Sequence, residues 1–202
     1  MNAVKNSILI VGGGIGGLSA TLACAQKGAQ ARLIERARAF SEVGAGIQMG
    51  PNVTRTLFAW GLEKSLREVV FTPKRLQVRD TQSGAELGVL RLGQRSVDVY
   101  GAPYFSVHRA DLHQVLLQKV VASGAAELNL NCQIDLIQDH GDHVAVTGQG
   151  LPAYFAEKLT AEAVVGADGL WSHTRHYVLP PNTASRDGVI GLPSANFHPR
   201  FT

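Results

Sequence analysis

The chain has 202 residues, 45% of them hydrophobic and 17% charged, a balance that points to a soluble globular protein with room for one large domain or one and a half ordinary ones. The formal charge of +3 is mild and the lysines and arginines are scattered, so the sequence carries no nucleic-acid footprint. No run approaches the ~18 apolar residues of a membrane span, and glycines interrupt the first apolar stretch too early for a signal peptide, so a cytoplasmic protein is expected.

Ser7 to Val11 reads as a short buried strand that runs straight into G-x-G-x-x-G at Gly12, Gly14 and Gly17. Glycines at this spacing let the chain turn tightly at Gly12, let backbone approach a pyrophosphate at Gly14, and let a helix pack close on its strand at Gly17. Leu18, Leu22 and Ala25 then share one helical face, and Gly28 can end the helix. A second strand, Ala31 to Ile34, leads to Glu35, which stands 21 residues past Gly14. An acidic residue at about that distance bonds a ribose hydroxyl. The ligand this predicts is a dinucleotide. Arg36 adjoins Glu35 and is counted with the cofactor site; with Arg32, Arg38 and Arg55 it forms the densest basic stretch, read either as solvated surface or as attraction for an anionic cofactor or substrate.

After a polar connection over 36–43, the glycine-dense stretch Gly44 to Asn52 suits backbone lying against a flat ligand. Pro51 can open a helix running through Leu57 and Phe58 to Gly61, and a second helical pattern covers Leu62 to Val70. Leu76–Asp80 and Glu86–Leu92 read as two strands around a turn at Gln82-Ser83-Gly84, in a sheet separate from the first. Pro103–Val107 is a strand, and the helical period from Asp111 through Leu116 to Val120 ends at Gly124. Arg109 opens that helix, where its guanidinium can hold phosphate oxygens, or else lies at the surface. His108 is expected to be a partly buried strand residue rather than a base. Glu127–Leu130 and Gln133–Ile137 are extended, with a hairpin turn at His140–His143 into Val144–Thr147 and a continuation at Phe155–Leu159. Ala163–Gly166 is a short apolar strand that delivers Asp168-Gly169 to a sheet edge; Asp168 reads as a ligand-facing carboxylate or as an ordinary turn or cap residue. Residues 180–202 carry no sustained period. The seven histidines form no metal-like set, and Cys24 in the first helix and Cys132 in a later strand form no disulfide framework; both cysteines are expected to be reduced core residues.

Taken together, Gly12–Gly17 with Glu35, the Gly44–Asn52 stretch, His108-Arg109-Ala-Asp-Leu112 and Gly166-Ala-Asp-Gly169 resemble the single-component FAD-dependent aromatic hydroxylases, the family of salicylate and para-hydroxybenzoate hydroxylases. The resemblance covers roughly residues 7–179 and implies an α/β chain, with a Rossmann-like FAD-binding fold and part of a second, mixed substrate-domain sheet. On this reading residues 1–75 are the FAD-binding βαβ unit and following helices, 76–104 belong to the substrate-domain sheet, 105–179 continue the FAD-binding domain, and 180–202 are an irregular tail.

The same likeness places the FAD pyrophosphate at Gly12–Gly17, the adenosine ribose at Glu35 and the phosphate and ribityl region at Arg109. Backbone near Ile134 would face the adenine, Asp168-Gly169 would support FAD and transient NAD(P)H, and Gln48 would run beside the flavin. Some hydroxylases of nitrogen heterocycles carry a histidine at the position of Gln48, and a glutamine cannot take its part as a base. The implied chemistry is hydroxylation of a small, electron-rich, phenolic acid-like aromatic substrate with NAD(P)H and O2, in which the cofactor supplies the reactive oxygen and no side chain is assigned as catalytic. Complete members are longer, so a truncated or frame-shifted product is expected, for which the tail would be a non-native continuation. Another flavoprotein oxidoreductase and a noncatalytic dinucleotide-binding module are the alternatives. Nothing in the sequence marks the oligomeric state.

Overall fold

The computed structural model describes residues 7–40, 44–124, 126–152 and 159–179. Its central element is strand β1 (Ser7–Val11), which pairs in parallel with β2 (Gln30–Ile34) on one side and β12 (Ala163–Gly166) on the other. β8 (Ala126–Asn129) extends the sheet beyond β2, giving the order β12-β1-β2-β8. Because all four strands run the same way, the chain leaves each of them at one edge, and Gly12, Glu35 and Ala167 follow directly on three neighbouring strand ends.

β1 is apolar along nearly its whole length because it is covered on both faces. Ile10 joins Leu33, Leu18 and Leu22 of α1 (Ile15–Gln26), and Leu112, Leu116 and Val120 of α5 (Arg109–Ser123) in one buried cluster. Leu9 and Val11 alternate to the other face and pack with Ile34, Ile134, Val146 and Leu159. These last residues belong to an antiparallel sheet of β9 (Gln133–Asp139), β10 (Val144–Gln149) and β11 (Leu159–Ala161), ordered β11-β10-β9. The result is a helix layer, a parallel sheet and an antiparallel sheet, with each fully buried Leu or Ile stabilising by roughly 1.5–3 kcal/mol.

A second antiparallel sheet joins β3 (Gly46–Met49), β7 (Phe105–His108) and β4 (Val70–Phe71) in the order β3-β7-β4. Two helices, α2 (Pro51–Ala59) and α3 (Glu63–Val69), intervene between β3 and β4; Pro51 occupies the first turn of α2, and Thr54 Oγ1 donates to the Pro103 carbonyl at 2.7 Å. β5 (Arg75–Arg79) and β6 (Glu86–Arg91) form the expected separate ribbon. Its turn is organised by Asp80 Oδ1, which accepts from the backbone N–H groups of Gln82 and Ser83, and its Leu76, Val78, Leu87 and Leu90 are exposed.

Three details differ from the sequence reading. A short helix, α4 (Gln94–Tyr100), stands where only sheet was expected; Gly93 and Gly101, both with positive φ, bracket it, and Ser96 is its one buried residue. His108 is exposed rather than half-buried, because it closes β7 and is the residue before the first turn of α5. Cys132 is buried but precedes β9 instead of lying in it. The expected strand over Phe155–Leu159 is represented by β11 at its last residue, while residues 153–158 and the tail 180–202 lie outside the described residues.

The approach of α1 to β1 depends on Gly17, where a Cβ would collide with the Gly12 carbonyl oxygen. Gly17→Ala is therefore expected to lose roughly 1–3 kcal/mol of stability, the usual cost of forcing atoms into a packed site. Urea unfolding checks this; an unchanged midpoint would show that the turn can open without cost.

Candidate functional site

The edge where β1, β2 and β12 end opens into a cleft of about 680 Å³. Its floor is the glycine turn. Gly12 has φ +107 and lies against Ala167, whose carbonyl would clash with any Cβ at Gly12. Gly14 precedes α1, and the first intrahelical bond runs from Leu18 N–H to the Gly14 carbonyl at 3.0 Å. The N–H groups that begin α1 have no acceptors within the helix, and they carry the positive end of its dipole. Gly14, Ile15 and Gly16 all line the cleft, so this wall is built to meet an anion.

Glu35 forms the next wall. Its Oε2 accepts the Gly13 N–H at 2.6 Å and its Oε1 accepts the Ala37 N–H at 2.8 Å. Each oxygen keeps a second lone pair, so the carboxylate can still accept from a ligand hydroxyl. Arg36, Arg109 and Ile134 also line the cleft, Ile134 from β9 with its neighbours Gln133 and Asp135. Arg109 reaches it across Gly44, where a Cβ would come within 2.8 Å of the arginine Cδ; glycine at 44 lets the stem pass. The Arg109 N–H also donates to the Ala45 carbonyl at 3.3 Å, which ties the start of α5 to the segment before β3.

The opposite wall follows β12. Asp168 lines the cleft, yet both its oxygens are engaged. Oδ1 accepts from the hydroxyls of Ser172 and Thr174, both at 2.6 Å. Oδ2 accepts from the backbone N–H groups of His173 at 2.7 Å and Thr174 at 3.0 Å. Of the two readings its sequence context allows, the bracing role is thus fully realised: the carboxylate shapes the loop before α6 (Arg175–Val178). Gly169, with φ +82, also lines the cleft and has open space where a Cβ would be.

Gly17 and Gln48 do not line the cleft. Gly17 is buried beneath it, and Gln48 sits on β3, where its Oε1 accepts from the Tyr104 hydroxyl at 2.6 Å. Trp171, His173 and Tyr177 line it without having been expected from the sequence. Cys132 lines it as well, and burial pushes its thiol pKa up, which keeps it protonated and unreactive. Among the described residues no group of three or more His, Cys, Asp or Glu could hold a metal, and no helix is long and apolar enough to cross a membrane.

The family model of the FAD binding domain matches residues 5–199, past Leu179 where the motifs end. The chain belongs to the FAD-binding domain family. It is 35% identical over 177 residues to 3-hydroxybenzoate 6-hydroxylase 1 of Aquipseudomonas alcaligenes, covering 87% of this chain and 43% of that protein. It is 37% identical over 188 residues to 6-hydroxynicotinate 3-monooxygenase of Bordetella bronchiseptica, covering 92% of this chain and 46% of the relative. The chain thus spans a little under half the length of these relatives. Among solved structures it is similar to 2-methyl-3-hydroxypyridine-5-carboxylic acid oxygenase, at 26% identity and a TM-score of 0.69, over 86% of this chain and 42% of that one.

Within this FAD-binding domain, Asp168 has a titration consequence. Burial alone would raise its pKa, but the hydrogen bonds from Ser172 and Thr174 outweigh it and hold the carboxyl below its ordinary range. A folded-state pKa below the unfolded value of about 3.9 stabilises the fold fully at higher pH, and that contribution vanishes as pH falls through the folded value. Asp168→Asn should therefore melt at a lower temperature than the parent at pH 7, with the gap closing in acid below about pH 4. Thermal melts across pH 7 to 3 check this; a gap of constant size would mean that the charge contributes nothing.

Proposed function

We propose that the cleft holds FAD, and that the chain supplies the cofactor-binding part of an NAD(P)H- and O2-dependent monooxygenase acting on a small aromatic compound. The observation that carries this reading is the convergence on one cleft of Gly12, Gly14, Glu35, Arg36, Arg109, Ile134, Asp168 and Gly169, brought from five separate stretches of sequence. The site fits the group: Gly12 and Gly14 bring bare backbone to the cleft floor, and the start of α1 presents N–H groups that have no acceptor within the helix.

In this assignment the glycine turn and the α1 N-terminus bind the pyrophosphate, and Glu35 accepts from the adenosine ribose while it holds the turn through Gly13. Arg109 meets the phosphate and ribityl region, with its guanidinium supplying charge-assisted hydrogen bonds. Backbone around Ile134 faces the adenine. Asp168 acts indirectly, by fixing the loop that carries Gly169, Trp171 and His173 along the cleft. Bound there, FAD would supply the redox chemistry of an NAD(P)H- and O2-dependent hydroxylation. No side chain of this chain is assigned as acid, base or nucleophile. We assign residues 76–104 to the substrate domain, with residues 1–75 and 105–179 forming the FAD-binding domain. Relatives named for a hydroxybenzoate and a hydroxynicotinate support small hydroxylated aromatic acids as the substrate class.

Titrating the purified chain with FAD, read by quenching of Trp171 in the cleft wall and by gain of flavin absorbance, tests the reading. Saturable uptake is expected, and Arg109→Ala should weaken it by roughly 10- to 100-fold, the value of a lost charge-assisted hydrogen bond. A colourless chain that takes up no flavin would overturn the assignment. Bound FAD without aromatic-stimulated NAD(P)H oxidation would leave cofactor binding and remove the monooxygenase activity from this chain.

A further inference from the structure

We propose that His113 is a positioning residue of the cofactor site, which from α5 fixes the peptide plane of the glycine turn; this rests on the FAD reading above. His113 is 4% exposed and shares its helix with the buried Leu112, Val115, Leu116 and Val120. A histidine in such company is ordinarily a core filler, but here Nε2 lies 2.8 Å from the Gly13 carbonyl oxygen, 100 residues away in sequence. Because the partner is a carbonyl, Nε2 carries the proton and donates it. On its other side Gly13 donates its N–H to Glu35 Oε2 at 2.6 Å. Both polar backbone atoms of Gly13 are therefore held by side chains from different elements.

The consequence follows from peptide geometry. No peptide bond among the described residues is cis, so the Gly13 carbonyl and the Gly14 N–H point to opposite sides of their shared plane. Drawing the carbonyl toward α5 turns the Gly14 N–H away from α5, and Gly14 lines the main cleft. A turn of three successive glycines has no Cβ to restrict its own planes, so its orientation has to be imposed from outside. Behind it lies a small pocket of about 80 Å³ walled by Glu35, Phe40 and His113; Phe40 packs 6.2 Å from the His113 ring, and a Cβ at Gly13 would come within 2.6 Å of Phe40 Cε1. Glu35 and His113 together act as a two-sided clamp on Gly13 that presents the Gly14 N–H to the pyrophosphate.

Three proteins test this, the parent, His113→Gln and His113→Leu, each compared for FAD affinity, thermal unfolding and the amide NMR signal of Gly14. A glutamine can place its Nε2 donor where the imidazole Nε2 stood, whereas leucine fills the space without a donor. The Leu variant should bind FAD about five- to tenfold more weakly, the value of one hydrogen bond, with the Gln variant within about twofold of the parent. The Gly14 signal should move in the Leu variant and stay in the Gln variant. Unchanged affinity in Leu, or equal losses in Leu and Gln, would overturn the proposal. If the Leu variant fails to fold, a folded Gln variant decides the matter: parent-like affinity supports the clamp, and a loss of fivefold or more overturns it. A parent chain that takes up no FAD defeats the functional reading instead, and the Gly14 signal then tests the clamp by itself.

Discussion

The hydrogen bond from Gly13 N–H to Glu35 couples the two strands on which the site is built. β1 ends in a glycine turn that has no side chains of its own to hold it, and β2 ends one residue before a carboxylate able to reach it. The parallel pairing of Val11 with Ile34 fixes how far apart those ends lie, so the register of the sheet sets the geometry of the cleft. Backbone bonds continue the same bracing: Gly12 N–H donates to the Ile34 carbonyl at 2.8 Å, and Cys132 N–H donates to the Glu35 carbonyl at 2.9 Å. The antiparallel sheet is thereby tied to the cleft through the residue before β9. Burial of β1 on both faces keeps all of these strand ends in place, because a shift of one residue would exchange Leu9 and Val11 for Ile10 in the wrong layer.

The chemistry available to the cleft follows from what these ends expose. One wall is a helix N-terminus with arginines 36 and 109 nearby, which favours anions; the other carries a carboxylate whose oxygens are occupied internally. Asp168 is thus a structural charge in the wall of the cleft. Its four donors reach it from three successive residues, so residues 172–174 of the loop after β12 are held by one side chain. An arrangement of this kind is suited to binding and orienting an anionic dinucleotide.

Most of the parallel core was legible in the sequence because it rests on local signals. The run from Ser7 to Gly17 shows its strand, its turn and its helix start within a few residues, and the spacing to Glu35 shows the second strand end. Less local features left no such trace. The bond between His113 and Gly13 spans 100 residues, and nothing in the helical period of α5 separates this histidine from its buried apolar neighbours. The spacing placed Glu35 at the site but not its bond to Gly13, and the Asp-Gly pattern placed Asp168 at the sheet edge without showing that its oxygens turn toward its own loop. α4 escaped notice for a different reason: it has seven residues, buries only Ser96 and so lacks the apolar stripe by which a helix is read.

If the glycine turn and Glu35 are the anchors, the adenosine diphosphate half of FAD supplies most of the recognition by this chain. Competition against bound FAD measures that most directly. ADP, which carries the ribose and pyrophosphate but no flavin, should displace FAD, and FMN, which carries the flavin and a single phosphate, should not. Displacement by FMN with no effect of ADP would contradict the assignment of the cleft.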